Sequence, residues 1–132
     1  MSIIQSISPT QAHEILSSNS QAILIDTRTY LEYSFVGHPI GAVHVPLKRP
    51  PNWEAFPDFV EQVEQHIHSK SIPVILMCRS GVRSLDAAKL LEQAGFQTLY
   101  NMDEGFEGDK DHNHHRGTLG GWRFHKLPWE QS

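Results

Sequence analysis

The stretch that most limits what this chain can become is Val74-Ile75-Leu76-Met77-Cys78-Arg79-Ser80-Gly81-Val82-Arg83-Ser84. Its first four residues are apolar on both faces, as in a strand buried in the middle of a parallel sheet. The run stops at the only cysteine of the chain. A short loop with Gly81 and two arginines follows, and from residue 85 to 94 the pattern turns helical. A strand feeding a tight loop and then a helix aims the loop's backbone N–H groups, and the helix N-terminus, at one point. Arg79 and Arg83 add full positive charge beside it. The arrangement favours an anion, a thiolate included. A lone cysteine is usually a small buried hydrophobe. An inert one, however, has no need of two arginines and a glycine behind it.

The rest of the chain surrounds this stretch with alternating strand and helix signals. Ile3, Ile4 and Ile7 predict a short first strand. Ser8 reads as a helix N-cap, Pro9 as its first residue and Gln11 as the partner in a capping box. Ala12, Ile15 and Leu16 supply that helix's apolar stripe, and residues 17–21 end it. Ala22-Ile23-Leu24-Ile25 is a second buried strand, stopped by Asp26. Asp26 and Arg28 therefore lie at the C-terminal edge of a strand, where open α/β sheets place their ligands, and so border a site. The favoured role for both is structural: capping turns and pairing with each other or with Glu32. Residues 29–35 predict a helical turn with Tyr30, Leu31 and Phe35 facing inward. Val43-His44-Val45 reads as a third strand. His38 and His44 suit general bases, although a histidine in a turn beside a strand more often hydrogen-bonds structurally. Residues 48–52 read as a loop. Phe56, Phe59, Val60, Val63 and Ile67 predict a helix over residues 53–68. Beyond the central strand, Leu85, Ala88, Leu90 and Leu91 make the next helix amphipathic, with Gly95 as its stop. Residues 96–102 read as the last strand. This alternation is that of an α/β fold with a central, mainly parallel sheet flanked by helices.

The totals set limits. At 132 residues, 39% of them hydrophobic, the chain is one domain with enough material for a real core. A net charge of −4 provides no basic surplus to displace counterions, so nucleic acid is not an expected partner. A single cysteine excludes an intrachain disulfide and a multi-cysteine zinc site, and fits a reducing compartment such as the cytoplasm. Residues 1–16 lack the pattern of a signal peptide. The longest apolar run is far below transmembrane length, so no membrane association is expected. From Asp103 the chain becomes a long loop punctuated by Gly105, Gly108, Gly117, Gly120 and Gly121. It ends in Trp122, Phe124, Leu127 and Trp129, which are expected to fold back on the body. His112, His114 and His115, with Asp109 and Asp111, have the donor types for zinc or nickel. A solvated loop is the commoner meaning of such a tract. No metal and no cofactor are expected.

At Cys78-Arg79-Ser80-Gly81-Val82-Arg83-Ser84 the chain resembles the active-site loop of single-domain rhodaneses, a family of sulfurtransferases. The resemblance extends to Asp26-Thr27-Arg28, Glu32 and Gly37-His38-Pro39-Ile40-Gly41-Ala42-Val43-His44-Val45-Pro46, and to the glycine turn at Glu104-Gly105-Phe106. It covers about residues 3–107 in order and spacing, leaving 108–132 as an extended Gly/His-rich loop and aromatic segment. The ending departs from most small rhodaneses and resembles a subgroup with Gly120-Gly121-Trp122-Arg123 and Leu127-Pro128-Trp129. The resemblance implies a rhodanese-like domain, residues 1–132, in which Cys78 is the nucleophile. Arg79, Ser80, Gly81, Val82, Arg83 and Ser84 would form the substrate-binding loop, with Trp122 bordering the site. The implied reaction moves a sulfane sulfur from an anionic donor such as thiosulfate to cyanide or a thiol, through a persulfide on Cys78. The acceptor can also be a protein. For Ser84 the expected role is N-cap of the following helix. Rhodanese-fold phosphatases and arsenate reductases use a wider Cys-x5-Arg loop, whereas Cys78 to Arg83 is Cys-x4-Arg. A non-catalytic sulfur-carrier or protein-binding module is the other alternative.

Overall fold

The computed structural model describes residues 2–132, and of Arg49 only the backbone; Met1, the first residue of the expected domain, lies outside them. The elements are β1 (Gln5–Ile7), α1 (Pro9–Ser18), β2 (Ile23–Asp26), a π-helical turn (Glu32–Val36), β3 (His38–Pro39), β4 (Val43–His44), β5 (Lys48–Arg49), β6 (Glu54–Ala55), α2 (Phe59–Glu64), β7 (Val74–Met77), α3 (Val82–Gln93), β8 (Leu99–Met102) and β9 (Trp129–Glu130). Five strands form one parallel sheet in the order β1-β8-β7-β2-β4. The apolar run of β7 is its middle strand, and all four of its residues are buried. Because successive side chains point to opposite faces, the sheet divides its core in two. Ile25, Val74, Leu76 and Leu99 meet Phe59 and Val63 of α2 and Ala87, Ala88 and Leu91 of α3. Leu24, Ile75, Met77 and Met102 meet Ala12 of α1 on the other face, together with Phe106 and Trp122 from the tail. The α/β architecture with helices on both faces is thus as expected.

Local signals at the helix ends hold closely. The Ser8 hydroxyl accepts the Gln11 N–H at 3.2 Å, and the Gln11 side chain accepts the Ser8 N–H at 2.9 Å. This reciprocal pair satisfies two donors that a helix start otherwise leaves open. Gly95 follows α3 at φ +94, the left-handed conformation that ends a helix at little cost for glycine.

Three expectations fail, each for a physical reason. The helix expected over 53–68 shrinks to Phe59–Glu64, because Phe56 precedes a proline and is biased away from helical geometry. The segment expected as a loop contains β5, which pairs antiparallel with β6. Tyr30, Leu31 and Phe35 face solvent, at 66%, 73% and 78% exposure, instead of inward. Of the three only Phe35 lies in the π turn Glu32–Val36, whose wider repeat departs from helical spacing, and the long side chain of this region that is fully buried is Arg28. The tail folds back as anticipated: β9 pairs antiparallel with β3, and the Trp122 indole N–H donates to the Pro128 carbonyl at 2.8 Å. Among the described residues no helix is long and apolar enough to cross a membrane.

Candidate active site

Cys78 is the first residue after β7, at the C-terminal edge of the sheet, and is 1% exposed. Its carbonyl accepts the Phe106 N–H at 2.8 Å, and the Arg79 carbonyl accepts the Glu107 N–H at 3.0 Å, so the glycine turn docks directly on the loop. That approach needs glycine on both sides. A Cβ on Gly81 would strike the Asp103 backbone, and one on Gly105 the Arg79–Ser80 peptide. Gly81 also holds φ +104, a conformation that L side chains rarely adopt. It thereby serves as the N-cap of α3 and turns its own N–H toward Cys78 Sγ, at 3.1 Å.

Ser84 is not the N-cap that its sequence position suggests. It lies inside α3, fully buried, one turn beyond Gly81. Its hydroxyl lies 3.3 Å from Cys78 Sγ and 2.5 Å from Asn101 Oδ1, with geometry to donate to either. The Asn101 amide in turn donates to the Gly81 carbonyl at 3.1 Å. Asn101 was not legible as a site residue. The one available signal was an amide in a strand, where asparagine is disfavoured.

The two arginines of the loop have different fates. Arg83 makes a two-pronged pair with Glu32, both contacts at 2.8 Å. Burial pushes the Glu32 carboxyl up, but the hydrogen bonds and charge of Arg83, aided by Thr29, outweigh it and hold the carboxyl at about 2. The same carboxylate hydrogen bonds raise Arg83 against the opposing effect of burial. Arg79 is exposed, and its guanidinium has no partner among the described residues. Cys78, Arg79, Ser80, Val82 and Arg83 line a pocket of about 260 Å³. Val82 itself is 71% exposed.

The remaining candidates are structural. Arg28 grips Asp26 through two nitrogens, at 2.9 and 2.7 Å, and donates to the Gly37 carbonyl at 2.6 Å. Both residues are fully buried, and the Phe106 ring faces the guanidinium at 4.6 Å. This pairing is the structural role favoured for them. His38 bonds the Tyr33 carbonyl and His44 the Arg28 carbonyl, at 2.8 and 2.7 Å, so neither ring faces the thiol pocket. Trp122 does not border the site. It is 2% exposed in the core on the α1 face, because its large apolar ring is better buried against Ile75, Met77 and Phe106. In the histidine tract Asp111 accepts the N–H groups of Asn113 and His115 and the Thr118 hydroxyl. The described residues contain no group of three His, Cys, Asp or Glu placed to hold a metal ion.

Comparison with known proteins shows the family and the fold. The model of the rhodanese-like domain family matches residues 8–112. A Rickettsia rickettsii protein described only as an uncharacterized RP600 homolog is 34% identical over 131 residues, covering 96% of this chain and 98% of its own. Thiosulfate sulfurtransferase 16, chloroplastic, of Arabidopsis thaliana is 36% identical over 103 residues, or 76% of this chain and 82% of that protein. A crystal structure of Rv0390 from M. tuberculosis superposes with a TM-score of 0.88 at 39% identity, covering 99% of this chain and all of the other.

Proposed function

We propose, from the premise that this chain belongs to the rhodanese-like domain family, that it is a sulfurtransferase working through a persulfide on Cys78. The observation that carries the reading is the convergence of the Gly81 N–H and the Ser84 hydroxyl on one buried sulfur, beside the Arg79 guanidinium, which has no partner among the described residues. The Cys78 thiolate attacks the outer sulfur of an anionic donor such as thiosulfate. A new S–S bond forms, the donor's own S–S bond breaks, and sulfite leaves with the electron pair. The two donors stabilise negative charge on Sγ in the free thiolate, and again as that charge returns to Sγ when the persulfide is discharged. Arg79 is suited to the donor's sulfonate oxygens, since a guanidinium presents a fork of N–H groups to them. Arg83, engaged by Glu32, is suited to holding the loop.

Cyanide or a thiol, free or on a protein, then attacks the terminal sulfur and Cys78 leaves as thiolate. An external acceptor is required, because the chain has no second cysteine to resolve the persulfide. A thiol that must stay reduced fits the cytoplasm. Phosphatase chemistry is disfavoured, since it calls for a wider loop and a guanidinium free to grip phosphate, and Arg83 is taken. The test is intact mass after incubation with thiosulfate. A gain of one sulfur atom, reversed by cyanide and absent in Cys78→Ala, is expected. Failure to load from thiosulfate, polysulfide and organic persulfides alike would overturn the reading in favour of a binding module.

A further inference from the structure

A second cleft, of about 530 Å³, opens beside the Cys78 pocket and shares Arg79 and Arg83 with it. That volume falls in the range of roughly 300–1,000 Å³ typical of sites that take whole organic molecules. Cyanide or an inorganic sulfur oxyanion would leave most of it to water.

The charge of the cleft is uneven. Glu32 and Arg83 cancel each other in their ion pair. The guanidiniums of Arg79 and Arg116 then stand against the single carboxylate of Glu107. The cleft is therefore positive in a chain whose net charge is −4, and a local field of that sign draws anions. Arg116 is anchored, with one nitrogen donating to the Gly108 carbonyl at 2.7 Å, and no carboxylate pairs with it among the described residues. Its other N–H groups remain for a ligand. It also lies past residue 112, the end of the family match, so it is a feature of this chain's tail. Trp53, 47% exposed and held at φ +56, lines the cleft with Val36 and Pro50 as an apolar wall. The Arg83 guanidinium lies 5.7 Å from the centre of its ring. An apolar wall with cationic points away from the sulfur matches an organic skeleton bearing acid groups.

We infer that this cleft binds a carboxylate-bearing organic thiol as the sulfur acceptor, with Arg116 holding a carboxylate and Trp53 covering the carbon skeleton. The assignment as acceptor rests on the sulfurtransferase reading above. The acceptor enters as thiolate and attacks the terminal sulfur of the Cys78 persulfide. Its sulfur gains one bond, the bond to Cys78 Sγ breaks, and the products are an organic persulfide anion and the Cys78 thiolate, with no oxidant or reductant consumed.

The experiment compares mercaptosuccinate with uncharged mercaptoethanol as acceptors for the thiosulfate-loaded protein. Arg116→Ala is expected to lower the ratio of their kcat/KM values about tenfold, and Arg116→Lys to recover part of it. An unchanged ratio, or a loss shared equally by both thiols, would overturn the inference. Calorimetric titration with S-methyl mercaptosuccinate, which cannot accept sulfur, separates binding from transfer. If Cys78 loads no sulfur, the sulfurtransferase reading fails. The cleft then stands on this titration alone, with binding weakened about tenfold in Arg116→Ala as support and no binding to the wild type as refutation.

Discussion

The Ser84 hydroxyl has one proton and two acceptors, Cys78 Sγ and Asn101 Oδ1. It serves one of them at a time. Asn101 therefore does more than fill space. Its oxygen competes for the Ser84 proton, and its amide holds the Gly81 carbonyl, fixing the peptide that joins Gly81 to Val82 at the start of α3, next along the chain from the one whose N–H meets Cys78 Sγ. Asn101→Ala is expected to cost about 1–3 kcal/mol of stability, as buried polar partners are left unsatisfied. More tellingly, it should slow sulfur loading of Cys78 about tenfold, the scale expected when the loop that carries a donor at the reacting atom loosens. Intact-mass time courses, run well below the variant's melting temperature, measure that rate on folded protein. Loading at the wild-type rate would show that the Cys78 loop keeps its shape without Asn101.

Between elements, Glu32 ties the π-helical turn to the first turn of α3 through Arg83. Its carboxyl is lowered from an ordinary 4.5 to about 2 in the fold. The unfolded chain then binds the proton more readily than the folded one. The stabilisation is complete above 4.5 and drains away as the pH falls toward 2. With side chains only 16% and 18% exposed, screening reduces the effect modestly, and the contribution is about 2–3 kcal/mol. Urea unfolding at about pH 5 and about pH 3 should show wild-type stability falling further than that of Glu32→Gln. Parallel losses in the two proteins would place the acid sensitivity elsewhere.

At the scale of the whole molecule, the tail is part of the core. The Trp122 N–H bonds the Gly105 carbonyl at 2.9 Å, while Glu104 accepts from Gly121 and pairs with His125. The turn that docks on Cys78 is thus pinned from behind by the chain's last segment, and β9 fastens that segment to β3 at the other end. Trp122→Ala is expected to cost about 3–5 kcal/mol in denaturant unfolding, as loss of a large buried ring does. A cost near zero would mean that the tail is an appendage.

Features that depend on near neighbours could be read from the chain alone. The buried strand Val74–Met77, the Ser8–Gln11 capping box, the Gly95 stop and the loop from Cys78 to Arg83 are all written in residues a few positions apart. Periodicity and turn chemistry act over that range. Tertiary structure decided whatever depended on partners far along the chain. Arg83 could be recognised as a cation beside the cysteine, but not as one claimed by Glu32, 51 residues earlier. Ser84 had the residue type of a cap, but Gly81 takes the cap, and the Ser84 hydroxyl lies buried between Cys78 Sγ and Asn101, which arrives from β8. Trp122 could be expected to fold back, but which face of the sheet would bury it was set by the space beside α1. Spacing encodes backbone geometry, while charge pairing and burial are settled only when distant segments compete for the same neighbours.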